Sequence, residues 1–348
     1  MTNKILVTVL IVLFVISAGV SGIASAAGQT VIELDSAKIE PGAYVDRENV
    51  YLPLRPIGEA LGYQILWTGQ DNPVSMTKTG ENILLDLKNG IVSANDHTYY
   101  LSSVMHNGAT YLEADFFSEN LALGVKWEEP DAKVELEKIK ENGISVKTVR
   151  ETSEDEDIKI TIQYPQIGGL DDQAVQDGMN SVFKEAAEAA YNEGLKNAAE
   201  MKELRASSGY DSPNKCETYF NYHLKYNQNG LLSVVFLNYQ YTGGAHGLTV
   251  QSSHTVSLET GAAYSLEDLF PGDEDYIALI NEIVKNKIKD RELYELTPFE
   301  TIKADQDFYL TGNAAVVYFQ QYEYFPYAAG IQEFPVKISS PTLTTGSN

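Results

Sequence analysis

An internal repeat constrains the fold of the first part of this chain. The segment from Tyr51 to Trp67 matches the segment from Tyr111 to Trp127 at a fixed offset of 60 residues. Each copy predicts a short strand, one amphipathic helix, a turn and a second strand that closes on the tryptophan. Two such units predict a single α+β domain with both tryptophans in its core. The identical positions are Tyr51/Tyr111, Leu52/Leu112, Glu59/Glu119, Leu61/Leu121 and Trp67/Trp127.

The two copies also differ in a way that bears on the surface of this domain. Pro53, Arg55 and Gly62 of the first copy correspond to Glu113, Asp115 and Ala122 of the second. Any surface role of Arg55 can therefore be present in only one of the two copies of the repeat.

The repeat resembles a known family. The run from Val50 to Arg55, the run from Glu59 to Gly62, and Trp67 are similar to the copper amine oxidase N-terminal-like domain of secreted Gram-positive proteins. The resemblance covers roughly residues 30–136 and implies a peripheral stalk without copper chemistry. An amine oxidase also needs an Asn-Tyr-Asp/Glu triplet and a His-x-His pair. Here the two Asn-Tyr pairs continue as Asn221-Tyr222-His223 and Asn238-Tyr239-Gln240, and no two histidines lie two positions apart, so an amine oxidase is excluded.

Charge and cysteine content exclude further classes of protein. Lys and Arg total 25 against 49 Asp and Glu, which gives a net charge of −24. This balance argues against a nucleic-acid partner and against binding to anionic lipid, and it leaves cationic partners open. Cys216 is the one cysteine, so an internal disulfide and a thiolate zinc cluster are excluded. We expect no bound metal and no cofactor.

The N-terminus predicts export. Lys4 precedes an apolar run, and the small residues Ala24-Ser25-Ala26 follow it, as in a secretory signal peptide over residues 1–27. An uncleaved anchor is the alternative, although the run from Ile5 to Val20 is shorter than the roughly 20 residues that span a bilayer. We expect a secreted or cell-wall-associated protein, with membrane attachment only if the signal peptide is retained.

The rest of the chain predicts a second α+β domain, an antiparallel sheet packed with two helices. A strand from Asp157 is expected to end at Pro165, and a helix capped by Asp171 or Asp172 follows. Asn229-Gly230 predicts a tight hairpin between two long strands. The acidic segment Glu151–Asp157 is interpreted as a solvated hairpin tip. The predicted organisation is a signal peptide at 1–27, the repeat domain at 28–137, a linker and first strand region at 138–156, and a second domain at 144–345.

Two segments of the second domain are candidates for binding. The loop after Tyr241 contains three glycines in five residues, which free the backbone and expose amides, although a bulged turn is an equal alternative. The segment from Tyr322 to Gly330 is rich in aromatics, which pack in cores or bind ligands. If both segments lie at one sheet end, they form a binding surface. Its candidate residues are Tyr241, Gly243, Gly244, His246, Gly247, Tyr322, Glu323 and Tyr327.

These segments resemble the extracellular domain of unknown function in RsiV-type anti-sigma factors, which also occurs beside some peptidoglycan deacetylase domains. The matching pieces occur in order and span roughly residues 144–343; they are Tyr164–Ile167, Tyr241–Gly247, Asp268–Phe270 and Tyr322–Gly330. The resemblance implies a binding domain without catalysis, whose anti-sigma members recognise lysozyme. An anti-sigma factor also carries a cytoplasmic sigma-binding segment, and only Met1 to Lys4 precede the apolar run, so transmembrane signalling is not expected.

The sequence therefore predicts a non-enzymatic binding protein of a Gram-positive-type envelope. The expected ligand is a peptidoglycan component or a cationic protein such as lysozyme, which the acidic chain would attract. The alternative is a peptidoglycan-directed hydrolase or deacetylase-like enzyme, with His246 as general base and Glu323 as its partner. No G-x-S-x-G or His-Glu-x-x-His motif supports the enzyme.

Overall fold

The computed structural model describes residues 30–338, apart from 47–48, 70–71, 95, 129–131, 209–213, 273–274 and 313. The predicted signal peptide and residues 339–345 of the predicted second domain lie outside this part of the chain. The described residues form two regions of mixed strands and helices, which confirms the predicted α+β class.

The first domain is built from short strands and two short helices. Its elements are β1 (Thr30–Leu34), β2 (Ala37–Asp46), β3 (Asn49–Pro53), α1 (Leu54–Ala60), β4 (Gln64–Leu66), β5 (Val74–Lys78), β6 (Glu81–Asp86), β7 (Ile91–Ala94), β8 (His97–Tyr100), β9 (Ser103–His106), β10 (Ala109–Glu113), α2 (Ala114–Leu121), β11 (Leu123–Glu128) and β12 (Lys133–Lys138). The strands form a sheet in the order β11-β12-β1-β2-β3-β10-β9 and a second sheet in the order β4-β5-β6-β7-β8.

The two repeat copies meet where β3 pairs with β10. The strands are antiparallel, with Leu52 opposite Leu112 and Tyr51 opposite Glu113. Leu52 and Leu112 are equivalent positions of the repeat, so exchanging the two copies leaves this register unchanged. A local two-fold axis therefore passes through the pair, with α1 and α2 related by it.

The two tryptophans of the repeat have different environments. Trp127 lies at the penultimate position of β11 and packs, half-buried, against the core of the domain. Trp67 is 55% exposed, so the prediction that both tryptophans fill the core was wrong for the first copy. The reason is strand length, because β4 ends at Leu66 and the chain leaves the sheet before Trp67.

The second domain contains two sheets, each covered by one helix. Its elements are β13 (Ser145–Glu154), β14 (Ile158–Gly168), α3 (Gln173–Ser208), β15 (Cys216–Gln228), β16 (Leu231–Tyr241), β17 (Leu248–Ser257), α4 (Tyr276–Asp290), β18 (Phe308–Thr311), β19 (Ala314–Phe319) and β20 (Gln332–Lys337). The larger sheet runs β13-β14-β15-β16-β17 and the smaller one β18-β19-β20. Both are antiparallel except at β14 and β15, which are parallel and connected through α3.

Each helix of the second domain buries one face. Met179 and Phe183 of α3 belong to the core on the larger sheet, and Ile280 and Val284 of α4 belong to the core of the smaller one. The Asp172 carboxylate accepts hydrogen bonds from the next helical amides, 2.8 Å from Ala174 N, as the predicted N-terminal cap should.

The β13–β14 hairpin extends further than the sequence indicates. β14 continues through Pro165 to Gly168, beyond the end expected at the proline. Its parallel partner β15 pairs only with the stretch from Ile158 to Ile162. At Pro165 that side of β14 carries no ladder, so the missing N–H leaves no partner unsatisfied.

The first domain docks onto the larger sheet through polar contacts. The Gln163 side chain accepts a hydrogen bond from Thr98 N at 3.0 Å and donates one to Thr98 O at 2.6 Å. His97 Nε2 donates to Asn221 Oδ1 at 2.8 Å, and its ring stacks on Tyr222 with centroids 4.2 Å apart. A buried amide side chain thus satisfies the backbone of the edge strand β8.

A buried charge cluster joins α2 to β15. Lys225 Nζ donates to Asp115 at 2.8 Å and to Glu119 at 2.6 Å, and His223 Nδ1 lies 2.8 Å from Glu119. Burial opposes both charges, yet Lys225 and His223 lower the pKa of Glu119 to about 2, and Asp115 and Glu119 raise the pKa of Lys225. Asp115 stands where the first copy has Arg55, and an arginine here would repel Lys225.

Candidate functional site

The two candidate segments meet beside the edge strand β17. The His246 ring stacks on the Tyr327 ring with centroids 3.8 Å apart and planes 21° apart. Tyr322 lies next to Tyr327, at 5.8 Å between centroids. The structure thus brings the glycine-rich loop and the aromatic segment into one contact, and Tyr322 remains 52% exposed.

Two glutamines fix the aromatic segment to the backbone of β17. Gln320 accepts a hydrogen bond from Gln251 N at 3.0 Å and donates one to Gln251 O at 2.7 Å. Gln321 accepts one from Thr249 N at 3.1 Å. These side chains occupy the open edge of the sheet, so the residues that follow them are held in place.

The glycines of the loop have separate roles. Gly243 has φ +86°, a conformation that favours glycine. A Cβ on Gly247 would lie 2.3 Å from a ring carbon of Tyr239, whereas a Cβ on Gly244 would meet nothing within 4 Å. Gly243 and Gly247 therefore shape the loop, and Gly244 is an open surface position.

The Tyr241 hydroxyl closes the loop from the other side. It donates to Gly244 O at 2.9 Å and accepts a hydrogen bond from Asn214 Nδ2 at 3.0 Å. The Tyr241 hydroxyl therefore braces the loop from within, and the open positions available to a ligand lie at Gly244 and at the rings of His246 and Tyr322.

His246 and Glu323 do not form the pair that the enzymatic alternative requires. His246 Nδ1 lies 2.9 Å from Gly247 O, and because a carbonyl only accepts, this nitrogen carries the proton. Glu323 accepts hydrogen bonds from Lys303 Nζ at 2.8 Å and from Gln320 N at 3.0 Å. The Glu323 carboxylate is thus engaged away from the ring, and within the described residues no group of three His, Cys, Asp or Glu could hold a metal ion.

Several residues of this surface were not predicted from the sequence. Leu248 and Val250 alternate along β17 and are exposed beside the loop. Gln320 and Gln321 carry no motif, and their role depends on which strand edge lies opposite. The apolar alternation after Gly247 was the available signal for Leu248 and Val250.

Tyr322 has an unusual backbone conformation. Its φ is +67°, which is rare for an aromatic residue, and its N–H donates to Phe325 O at 3.0 Å. Tyr322 is the third residue of a tight turn closed by the Glu323 N–H, which donates to Gln320 O at 3.1 Å, and its side chain is exposed. Strain of this kind concentrates at ligand-binding positions.

A cavity of about 350 Å³ lies between the two domains. Polar side chains that line the cavity form hydrogen bonds with one another. The Tyr63 hydroxyl donates to Glu81, and Asn120 Nδ2 donates to the Tyr99 hydroxyl at 2.6 Å. Thr148 Oγ1 lies 2.8 Å from the Tyr222 hydroxyl. We assign it no ligand because these groups already satisfy each other.

Comparison with known proteins confirms both resemblances. The chain matches the family models of the copper amine oxidase N-terminal domain at residues 31–136, the deacetylase PdaC at residues 151–249, and a protein of unknown function, DUF3298, at residues 267–339. The two candidate segments fall in the second and third of these matches.

Two curated relatives are similar to parts of this chain. The anti-sigma-V factor RsiV of Bacillus subtilis (strain 168) is 27% identical over 222 residues, covering 60% of this chain and 73% of that protein. The peptidoglycan-N-acetylmuramic acid deacetylase PdaC of the same organism is 27% identical over 89 residues, which is 26% of this chain and only 19% of that protein.

Two solved structures of the DUF3298 family are also similar. One, from Bacteroides fragilis NCTC 9343, has a TM-score of 0.47 and 18% identity, and the match covers 58% of this chain and 96% of that one. The other, from Pseudomonas aeruginosa PAO1, has a TM-score of 0.38 and 15% identity, with coverage of 60% and 99%. No helix within the described residues is long and apolar enough to cross a membrane.

Proposed function

We propose that this chain is a non-enzymatic binding protein of a Gram-positive-type cell envelope, secreted or associated with the wall. The binding surface comprises Gly244, His246, Tyr322 and Tyr327, with Leu248 at its border. The observation that carries the proposal is the stack of His246 on Tyr327, because it joins two segments far apart in sequence into one partly exposed aromatic surface.

The chemistry of the surface suits two ligands. Tyrosine and histidine rings stack on the faces of sugars, and exposed tyrosines are frequent energetic hot spots in protein interfaces. The positive φ of Tyr322 and the glutamine contacts to β17 hold the rings before a ligand arrives. Preorganisation of this kind lowers the entropic cost of binding. The ligand is therefore a peptidoglycan component or a cationic envelope protein of the lysozyme type.

Charge supports a cationic partner in particular. A chain of net charge −24 attracts a basic protein over long range, and salt screens that attraction. The relatives support an envelope location, since one is named as an anti-sigma factor and the other as a peptidoglycan deacetylase. The first domain then acts as a stalk that presents the second.

Binding of purified peptidoglycan and of hen lysozyme tests the proposal with matched variants. Tyr327→Ala removes one member of the stack, and Gly244→Val adds bulk at an open position. We expect each to weaken binding by about tenfold or more, the usual scale for a hot spot, with a nearly unchanged melting temperature. Tyr294→Ala is the control, because Tyr294 is 73% exposed and lies outside the surface. Equal binding by all three variants would place the ligand elsewhere.

Turnover separates binding from catalysis. Wild-type protein and His246→Ala are incubated with labelled peptidoglycan, and we expect no released product from either. Product release that depends on His246 would instead support an enzyme with His246 as its general base.

A further inference from the structure

The first domain has two related surfaces, and among the described residues the second domain covers only the one formed by the second copy of the repeat. In the second copy, Asp115 and Glu119 on α2 face β15 and bind Lys225. The equivalent positions of the first copy are Arg55 and Glu59 on α1. Both side chains are about half exposed, and they pair with each other at 3.1 Å.

Arg55 also contacts the neighbouring strand β4. Its guanidinium donates to Ile65 O at 3.0 Å, at the outer edge of β4, which is the terminal strand of its sheet. Trp67 follows two residues later and is 55% exposed, and the intervening Leu66 is 62% exposed. An arginine, a glutamate and an exposed indole thus adjoin a strand edge on which no other described strand pairs.

We propose that this surface, comprising Arg55, Glu59 and Trp67, binds a second copy of the same chain about a two-fold axis. A two-fold interface brings one patch against itself, so it must be self-complementary. One arginine beside one glutamate meets this condition, since Arg55 of each copy can bind Glu59 of the other. The two exposed tryptophans then pack near the axis, where aromatic anchors contribute most to an interface.

The difference between the repeat copies supports this occupant. Asp115 and Glu119 are both acidic, so the surface of the second copy needs a basic partner and finds it in Lys225. Arg55 and Glu59 carry opposite charges, so a second copy of the same chain supplies the complementary charges for both. The net charge of −24 opposes association over long range. Salt screens this repulsion beyond the Debye length, which is roughly 10 Å at 0.1 M. We therefore expect dimerisation to strengthen as salt rises from about 0.02 to 0.15 M.

Sedimentation velocity on the chain without its predicted signal peptide tests the proposal. We expect a reversible dimer whose dissociation constant rises at least tenfold in Trp67→Ala and in Arg55→Glu. The double variant Arg55→Glu/Glu59→Arg exchanges the charges, keeps the patch self-complementary and restores the dimer. Lys184→Glu is the control, because Lys184 and Glu188 form an exposed pair of the same spacing on α3.

Four outcomes of the sedimentation experiment overturn the proposal. They are a monomer at all concentrations, a dimer that none of the variants weakens, a dimer that Lys184→Glu weakens equally, and failure of the charge exchange to restore association. Circular dichroism of each variant confirms that it is folded. Tryptophan emission adds a separate check, because a shift upon adding chito-oligosaccharide at unchanged mass would assign the surface to a glycan instead.

Discussion

Two glycines in the loop after β16 have different roles: Gly247 is needed for packing, and Gly244 is an open surface position. Gly247→Val should destabilise the protein by about 1–3 kcal/mol, because its side chain would overlap the Tyr239 ring. Gly244→Val should leave stability nearly unchanged, since its Cβ points into open space. Thermal unfolding of the two variants measures the contrast. Equal losses would mean that the whole loop is structural.

His97 at the domain interface predicts a pH dependence of stability. Burial lowers the pKa of His97 from 6.5 to about 4. The unfolded chain therefore binds this proton more readily than the folded one, so the stabilisation is complete above pH 6.5 and is lost as pH falls towards 4. We expect wild-type protein to lose about 2–3 kcal/mol more than His97→Gln between about pH 7 and 4.5.

Urea unfolding of both proteins at the two pH values provides the measurement. His254, whose pKa burial also lowers, contributes to both proteins and cancels in the difference. Glutamine can still donate to Asn221, so the comparison isolates the charge. An identical pH dependence of the two proteins would show that His97 titrates normally.

Local features at the residue scale could be predicted from the sequence. Asp172 caps α3, and Asn229 and Gly230 both have positive φ in the predicted hairpin turn. Both depend on neighbouring residues alone. The exposure of Trp67 and the bond from Lys303 to Glu323 could not be predicted, because they depend on where strands end and which loops meet.

At the scale of elements, side chains cover the open strand edges. Gln163 bonds the backbone of β8, and Gln320 bonds that of β17. We expect Gln320→Ala to accelerate hydrogen exchange at the Gln251 amide, which loses its acceptor. The Ser233 amide, inside the same sheet, is the internal reference. Unchanged exchange at Gln251 would mean that the backbone of β17 is protected by other means.

Strand and helix types were more predictable than their lengths. The alternation from Ile158 to Tyr164 indicated β14, but the strand continues through Pro165 because its second neighbour stops at Ile162. The extent of that pairing depends on the tertiary structure and cannot be inferred from the local sequence. The parallel arrangement of β14 and β15 was not predicted either, although a helix between two strands is the usual connection of a parallel pair.

At the scale of the whole molecule, the buried charge cluster couples the two domains. Lys225→Met leaves Asp115 and the buried Glu119 without their cation, which should cost about 3–5 kcal/mol. We expect calorimetry to change from one unfolding transition to two. Lys159→Met is the control, because its pair with Glu217 is exposed and contributes less than about 1 kcal/mol.

A single transition of Lys225→Met at the wild-type temperature would contradict this coupling. Resemblance identified both domains from the sequence, but their docking could not be predicted from the sequence alone. The informative signal was the replacement of Arg55 by Asp115 in the second copy of the repeat, and its meaning depends on Lys225, which is distant in sequence.

We propose that ligand binds where the glycine-rich loop after Tyr241 meets the aromatic segment from Tyr322 to Gly330. Hydrogen exchange with and without saturating hen lysozyme, and with soluble peptidoglycan fragments, tests it most directly. With the probe that binds, we expect slower exchange confined to the amides from Gly243 to Thr249 and from Gln321 to Gly330. Binding that protects only the first domain, or the far end of the larger sheet, would contradict it.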